Sequence, residues 1–186
     1  TNHLFMKKLL IISAIAFTLA SCGNDDKKKT EAGAGDTKTA AEEVKLPIPL
    51  EKPYRNWQIG STDNVVTAMN GLKAFIDNDF TALANIIGDS LYVDFDNYQA
   101  KMSRDSAVNW FKSGRTMYQD LKVNMYDYVS VISGDKSEEW VTFWYKQTWK
   151  NEKGEADSMN VVNDIKLKNG KMIELDEKSS RFMVKK

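Results

Sequence analysis

From Leu121 to Leu175 apolar and polar residues alternate with period two, and this run constrains the fold more than any other feature. Leu121, Val123, Met125, Val129 and Val131 alternate with polar or tyrosine positions up to Ser133. Gly134-Asp135-Lys136 then turns the chain. Trp140 to Trp149 is a second long strand with large groups on both faces. Trp140 and Trp144 fall on one face; Phe143, Tyr145 and Trp149 fall on the other. A turn at Lys153-Gly154 leads to Met159, Val161, Ile165 and Leu167. Asn169-Gly170 is the strongest hairpin signal in the chain, because both turn positions need positive φ. Ile173 and Leu175 continue into the last strand.

Helices are expected before this meander. Ser61-Thr62-Asp63 offers N-cap residues, and Val65, Met69, Leu72 and Ile76 recur at helical spacing, widened by Phe75. Asn78-Asp79 breaks that helix. Phe80, Leu83, Ala84 and Ile87 predict a shorter one ending near Gly88, and Ser90 to Phe95 a short strand. Ser103 caps a third helix whose buried stripe reads Ala107, Trp110, Phe111, Gly114, Met117 and Tyr118. Gly114 within it is destabilising by up to ~1 kcal/mol relative to Ala, and close approach of another element is the expected compensation. Helices followed by an antiparallel meander make an α+β domain, with helices on one face of a curved sheet.

The N-terminal third has a different character. Met6 reads as the start, with residues 1–5 an upstream overhang. Lys7 and Lys8, an apolar run from Leu9 to Leu19 and then small residues form an export signal over 6–21. The run is too short for a lasting span, which takes roughly 20 residues. Leu19-Ala20-Ser21-Cys22 resembles the lipobox of bacterial lipoproteins, in which the cysteine is acylated and becomes the new N-terminus. An ordinary cleavage site beside a chance cysteine is the alternative. Attachment through Cys22 to membrane lipid implies a cell-envelope protein, anchored at the outer membrane. One acyl chain binds only reversibly, at ~0.8 kcal/mol per CH₂, so the two or three chains of that family are what make an anchor.

Residues 22–43 follow as a tether rich in Lys, Asp, Glu, Thr, Ala and Gly. A segment of this composition buries too little to offset its ordering entropy and reads as disordered, with a reach of roughly 25 Å. Asn24-Asp25-Asp26 resembles the acidic export signal of surface lipoproteins in Bacteroidetes-type bacteria; a solvated charge run is the alternative. Residues 44–58 hold all three prolines within an extended lead-in, and 59–186 form the folded domain.

Composition then narrows the chemistry. The formal net charge is zero, which gives nucleic acid no electrostatic footprint. Cys22 is the only cysteine and His3 the only histidine. Cleavage before Cys22 would leave a mature chain without histidine or free thiol. That excludes Ser-His-Asp and Cys-His catalysis and the usual soft metal ligands. No metal and no cofactor are expected. Asp157, Asp164, Asp176 and Glu177 lack metal-ligand spacing and read as strand-surface charges.

The ordered set of elements resembles the NTF2-like superfamily in its SnoaL-like branch. The resemblance is carried by the helix ending Phe75-Ile76-Asp77-Asn78-Asp79-Phe80 and by Asp89-Ser90-Leu91-Tyr92-Val93-Asp94. The Ser103 helix and the hairpin Ile165-Lys166-Leu167-Lys168-Asn169-Gly170-Lys171-Met172 complete it. It implies a cone-shaped half-barrel with an interior pocket, a scaffold shared by isomerases, hydrolases, cyclases and non-catalytic binding modules. Fold alone therefore chooses no function. Ketosteroid isomerases of the superfamily use an Asp base with Tyr and protonated Asp donors. By that resemblance Asp94 falls at or near the base, Gly71 where the family has its tyrosine, and Asn163 near the second acid. With one donor missing, a loss of ~10²–10³ in rate is expected.

Two readings follow. The favoured one is a non-catalytic module binding a small hydrophobic ligand or a protein partner. The other is an enzyme using Asp94 as general base on a small apolar substrate. Tyr92, Trp110, Tyr128, Trp144 and Asn163 are the pocket candidates. Large residues on both faces of the Trp140–Trp149 strand imply that its second face is also covered. A homodimer through the sheet, or the lead-in docked by Tyr54 and Trp57, would supply that cover.

Overall fold

The computed structural model describes residues 46–96 and 98–181. The export signal, Cys22 and the tether lie outside the described residues. From Ile48 onward these residues belong to one compact unit.

The elements run β1 (Gln58–Ile59), α1 (Thr62–Ile76), α2 (Phe80–Ile86), β2 (Ile87–Phe95), β3 (Tyr98–Ser103), α3 (Arg104–Arg115), β4 (Gln119–Ile132), β5 (Glu139–Lys150), β6 (Ala156–Lys168) and β7 (Lys171–Arg181). All strands join one sheet in the order β1-β4-β5-β6-β7-β2-β3. The meander β4–β7 is antiparallel, as its alternation predicts, and β2 joins β7 in parallel. Asn169 and Gly170 take φ of 53° and 68° and turn β6 into β7. β1 and β3 were not expected. β1 straddles the end of the lead-in, so the extended segment ends by adding an edge strand through Gln58↔Ile132 and Ile59↔Val131.

Each helix begins where a side chain satisfies an otherwise unpaired backbone N–H. Ser61 Oγ accepts from Asp63 N at 3.1 Å, Asp79 Oδ1 from Ala82 N at 2.9 Å, and Ser103 Oγ from Ser106 N at 3.3 Å. Asn78, at φ 60°, ends α1 in the left-handed region that asparagine tolerates. The innermost face of α1 is Val65, Ala68, Gly71 and Ala74; Met69, Leu72, Phe75 and Ile76 flank it, half-buried. The small residues allow close approach to the sheet. A Cβ on Gly71 would sit 2.9 Å from Met172 Sδ.

Two expectations for α3 are corrected. Gly114 makes no close approach, since an added Cβ would meet nothing within 4 Å. Met117 is exposed, while Arg115 is buried. Its guanidinium donates to the Phe75 carbonyl (3.1 Å), to the Ile76 carbonyl (2.9 Å) and to the Tyr118 carbonyl. Arg115 thus ties the last turn of α1 to the segment after α3, where the carbonyls of helix ends favour a cation.

The core lies between the helices and the concave face of the sheet. Val141, Phe143, Tyr145, Val161, Ile165 and Leu175 form its floor, with Leu91 and Val93 from β2. The opposite face of β5 is partly open, with Trp144 37% exposed. Lys166 Nζ sits 5.1 Å from the Trp140 ring, and Glu138 accepts from Trp140 Nε1 at 3.3 Å. Of the lead-in's two expected anchors, Tyr54 does not serve, being 66% exposed, while Trp57 is half-buried. Arg55 holds the lead-in through Glu138 (3.3 Å) and its own carbonyl, which accepts from Gly134 N (2.8 Å).

Candidate functional site

A cavity of about 480 Å³ lies between α1, α3 and the concave sheet. Its apolar wall includes Leu72, Phe75, Trp110, Phe111, Met159 and Leu175. Exposed Ser113, Thr116 and Met117, at and just after the C-terminal end of α3, form its solvent side. The bare edge of Gly114 adjoins them, which accounts for a glycine with no packing partner.

One end is polar. Tyr145 and Gln147 reach it from β5, Asn163 from β6, Glu177 from β7 and Tyr118 from the turn after α3. Register sets Asn163 opposite Glu177, and Tyr145, two positions beyond the Phe143 that pairs with Asn163, lies diagonal to it on the same face. The Asn163 amide lies 3.0 Å from Tyr145 Oη. With Oδ1 accepting from Tyr145, Nδ2 donates to Glu177 Oε2 (3.0 Å) and to the Val162 carbonyl (3.3 Å). The reverse orientation would set Oδ1 against two acceptors, so hydrogen-bond chemistry selects the first.

The electrostatics follow from burial. Withdrawal from water, reinforced by the Asp96 carboxylate, pushes the Glu177 carboxyl up to about 7. Burial also raises the Tyr145 hydroxyl well above its ordinary range, with Glu177 adding to the shift. Tyr118 rises for the same two reasons, in the same order. Near neutral pH, then, Glu177 is poised between its acid and its anion, while both tyrosines remain neutral donors.

Of the residues singled out from sequence, Trp110 and Asn163 line this cavity. Trp110 stacks on Tyr98 (centroids 5.8 Å, planes 9° apart) and meets Phe95 and Phe111 edge-on, each at 5.1 Å. Tyr92, Tyr128 and Trp144 are not among its lining residues; Tyr128 is 50% exposed. Asp94 is also absent from the wall. Leu91, Val93 and Phe95 point inward, so alternation turns Tyr92 and Asp94 to the other face. There Asp94 Oδ2 accepts from Gln99 Nε2 at 2.9 Å. Gly71 does border the cavity, where the resemblance would have set a tyrosine.

Glu177 was misread as a surface charge. Its parity with inward Leu175 was the available signal, and its charge argued the other way. Tyr145 had been set on the face opposite Trp144, the residue chosen for the pocket, and the structure reverses that choice. Cys22 lies outside the described residues. Among the described residues no cluster of His, Cys, Asp and Glu could hold a metal.

Helices over a cone-shaped, unclosed antiparallel-rich sheet with an interior cavity define the NTF2-like fold, and comparison with solved structures agrees. A protein from Jannaschia sp. CCS1, described as a SnoaL-like polyketide cyclase, superposes with a TM-score of 0.55 at 16% identity, covering 66% of this chain and 91% of its own. An NTF2-like protein of unknown function from Burkholderia pseudomallei gives 0.54 at 10% identity, covering 64% and 92%. An LEH-like epoxide hydrolase of M. tuberculosis gives 0.52 at 11% identity, covering 64% and 84%. Such low identities establish the fold alone. No family model matches the chain, and no curated protein matches it.

Proposed function

We propose that this chain is a lipid-anchored envelope protein whose NTF2-like domain binds a small, largely apolar molecule carrying one polar group. The observation that carries the binding reading is the cavity itself: about 480 Å³, apolar over most of its wall, with its polar groups gathered at Glu177, Asn163 and Tyr145. Sites of this size with few, convergent polar groups are the usual form of small-molecule sites. The anchor rests on the sequence, through Leu19-Ala20-Ser21-Cys22 after a charged and then apolar leader.

Native mass spectrometry of the chain purified from its own host membranes tests the binding reading. A co-purifying small molecule is expected. Apo protein alone, together with failure of apolar probes to bind, refutes it. Cys22→Ala tests the anchor. The variant should move to the soluble fraction, and retention on the membrane refutes the assignment.

A second reading, proton transfer to or from a bound substrate, is favoured by the position of Glu177. Its titration near neutrality suits a general acid or base, with Asn163 and Tyr145 at hand as donors. On this reading the base is Glu177 rather than Asp94. Turnover that follows a single ionisation near pH 7 and disappears in Glu177→Gln would establish it.

A further inference from the structure

We infer that the cavity is a site for a small apolar amine, with the ligand's ammonium group seated against the Glu177 carboxylate. The inference rests on the binding reading above and deepens it by fixing the charge of the ligand's head.

The sign of the lining is the first observation. Glu177 is the one side chain of the wall that becomes charged near neutral pH, and no lysine, arginine or histidine shares the wall. Arg115, the buried cation among the described residues, is committed to three backbone carbonyls, and Arg181, which acts on Tyr118 from outside the wall, is exposed and paired with Asp157 at 3.8 Å. A carboxylate-headed ligand would find no counter-ion here. It would also face Glu177 and, behind it, Asp96.

The hydrogen-bond count around Glu177 is the second. Among the described residues its Oε2 accepts from Asn163, and no donor is recorded for Oε1. Glu177 is half-buried at the cavity wall, so that oxygen is open to a ligand or to water, and an anion there gains from a further donor. An ammonium head brings both charge and donors.

The third observation is the rest of the wall. Gly114 and Thr116 place the C-terminal end of α3 at the cavity, and Phe75 places that of α1 there. The Arg115 guanidinium already meets the carbonyls at those ends, so they add no net negative charge and the aromatic rings of the wall are what favour a cation. Phe75, Trp110, Phe111 and Tyr118 supply aromatic faces, which attract cations and repel anions.

Proton linkage gives the ligand class a pH signature. The titratable groups facing Glu177 are Tyr145 on β5, Tyr118 after α3 and Asp96 after β2. The raised tyrosines stay neutral, and only Glu177 changes charge around pH 7. An amine stays protonated there, so its affinity should fall as pH drops below about 7 and Glu177 takes up a proton.

The test uses three probes with one apolar body: 4-butylbenzylamine, 4-butylbenzyl alcohol and 4-butylbenzoate. Each is titrated by calorimetry into the full chain and into Glu177→Gln at pH 8. The amine should bind at least about tenfold tighter than the alcohol, and the benzoate weakest of all. In Glu177→Gln the amine should lose that advantage over the alcohol, and a cooperative urea transition followed by tryptophan fluorescence shows the variant folded. If the variant does not fold, the wild-type pH series decides: from pH 8 to pH 5 the amine should weaken about tenfold or more, and the alcohol should not. Equal affinity of amine and alcohol, a preference for benzoate, or an amine preference that survives Glu177→Gln each overturns the inference and leaves the binding reading standing. Failure of all three probes overturns the inference, and together with apo protein in the native mass spectrum it overturns the binding reading as well.

Discussion

Glu177→Gln offers a direct measurement of how dry the polar end of the cavity is. The carboxyl titrates near 4.5 when unfolded and about 7 when folded, chiefly because burial disfavours the anion. Between those values the native chain holds close to one proton more than the unfolded chain. Stability therefore falls as pH rises, at about 1.4 kcal/mol per pH unit for a full proton. The contribution is complete below the unfolded value and lost as pH climbs through about 7. Glutamine keeps the shape and titrates nowhere. Between pH 5 and pH 8 the variant should gain about 2 kcal/mol on the wild type, allowing for water within the cavity. Urea unfolding at several pH values, followed by tryptophan fluorescence, reads the difference. Contributions from Glu174, Asp120 and the other shifted groups are common to both proteins and cancel. If the two stability–pH curves run parallel, Glu177 is solvated and the account of the cavity's polar end fails.

Other outcomes follow from the packing. Arg115→Met keeps much of the buried stem but leaves the Phe75, Ile76 and Tyr118 carbonyls without their shared donor, and should destabilise by about 2–4 kcal/mol in urea. An effect below about 0.5 kcal/mol would show that this tie is dispensable. Ser130→Ala should be neutral or stabilising by up to about 1 kcal/mol, because the buried Ser130 hydroxyl has no partner among the described residues. A clear loss in the urea midpoint would show that the Ser130 hydroxyl is hydrogen-bonded.

The meander was legible because each of its strands has one buried face and a matching period, and because Asn169-Gly170 suits only a tight hairpin. The caps at Ser61 and Ser103 were legible for an equally local reason. β3 was not: Tyr98–Ser103 is a polar edge strand with little to bury, specified by its pairing with β2. The parallel contact between β2 and β7 leaves no local mark at all. Site residues suffered most where chemistry was read ahead of parity. Asp94 sits between inward Val93 and Phe95, so its own strand turns it outward. Glu177 stands two positions beyond inward Leu175 and is carried inside despite its charge. On β7, an irregularity between the Leu167↔Met172 and Lys166↔Glu174 pairs separates inward Met172 from inward Leu175, and plain alternation could not have shown that shift.

The parallel seam between β2 and β7 also orders assembly in time. The hairpins of β4–β7 close over short stretches of chain. The seam instead joins Phe95 to Glu177, and the Asp96 carboxylate to Ser179, which is 83 positions away. Contacts of such separation form slowly, since a long loop must close before they return any energy. Phe95 and Glu177 are neighbours across that seam, and both belong to the cavity wall. The cavity is therefore incomplete until that long-range closure forms, and a meander without β2 has strands but no enclosing wall.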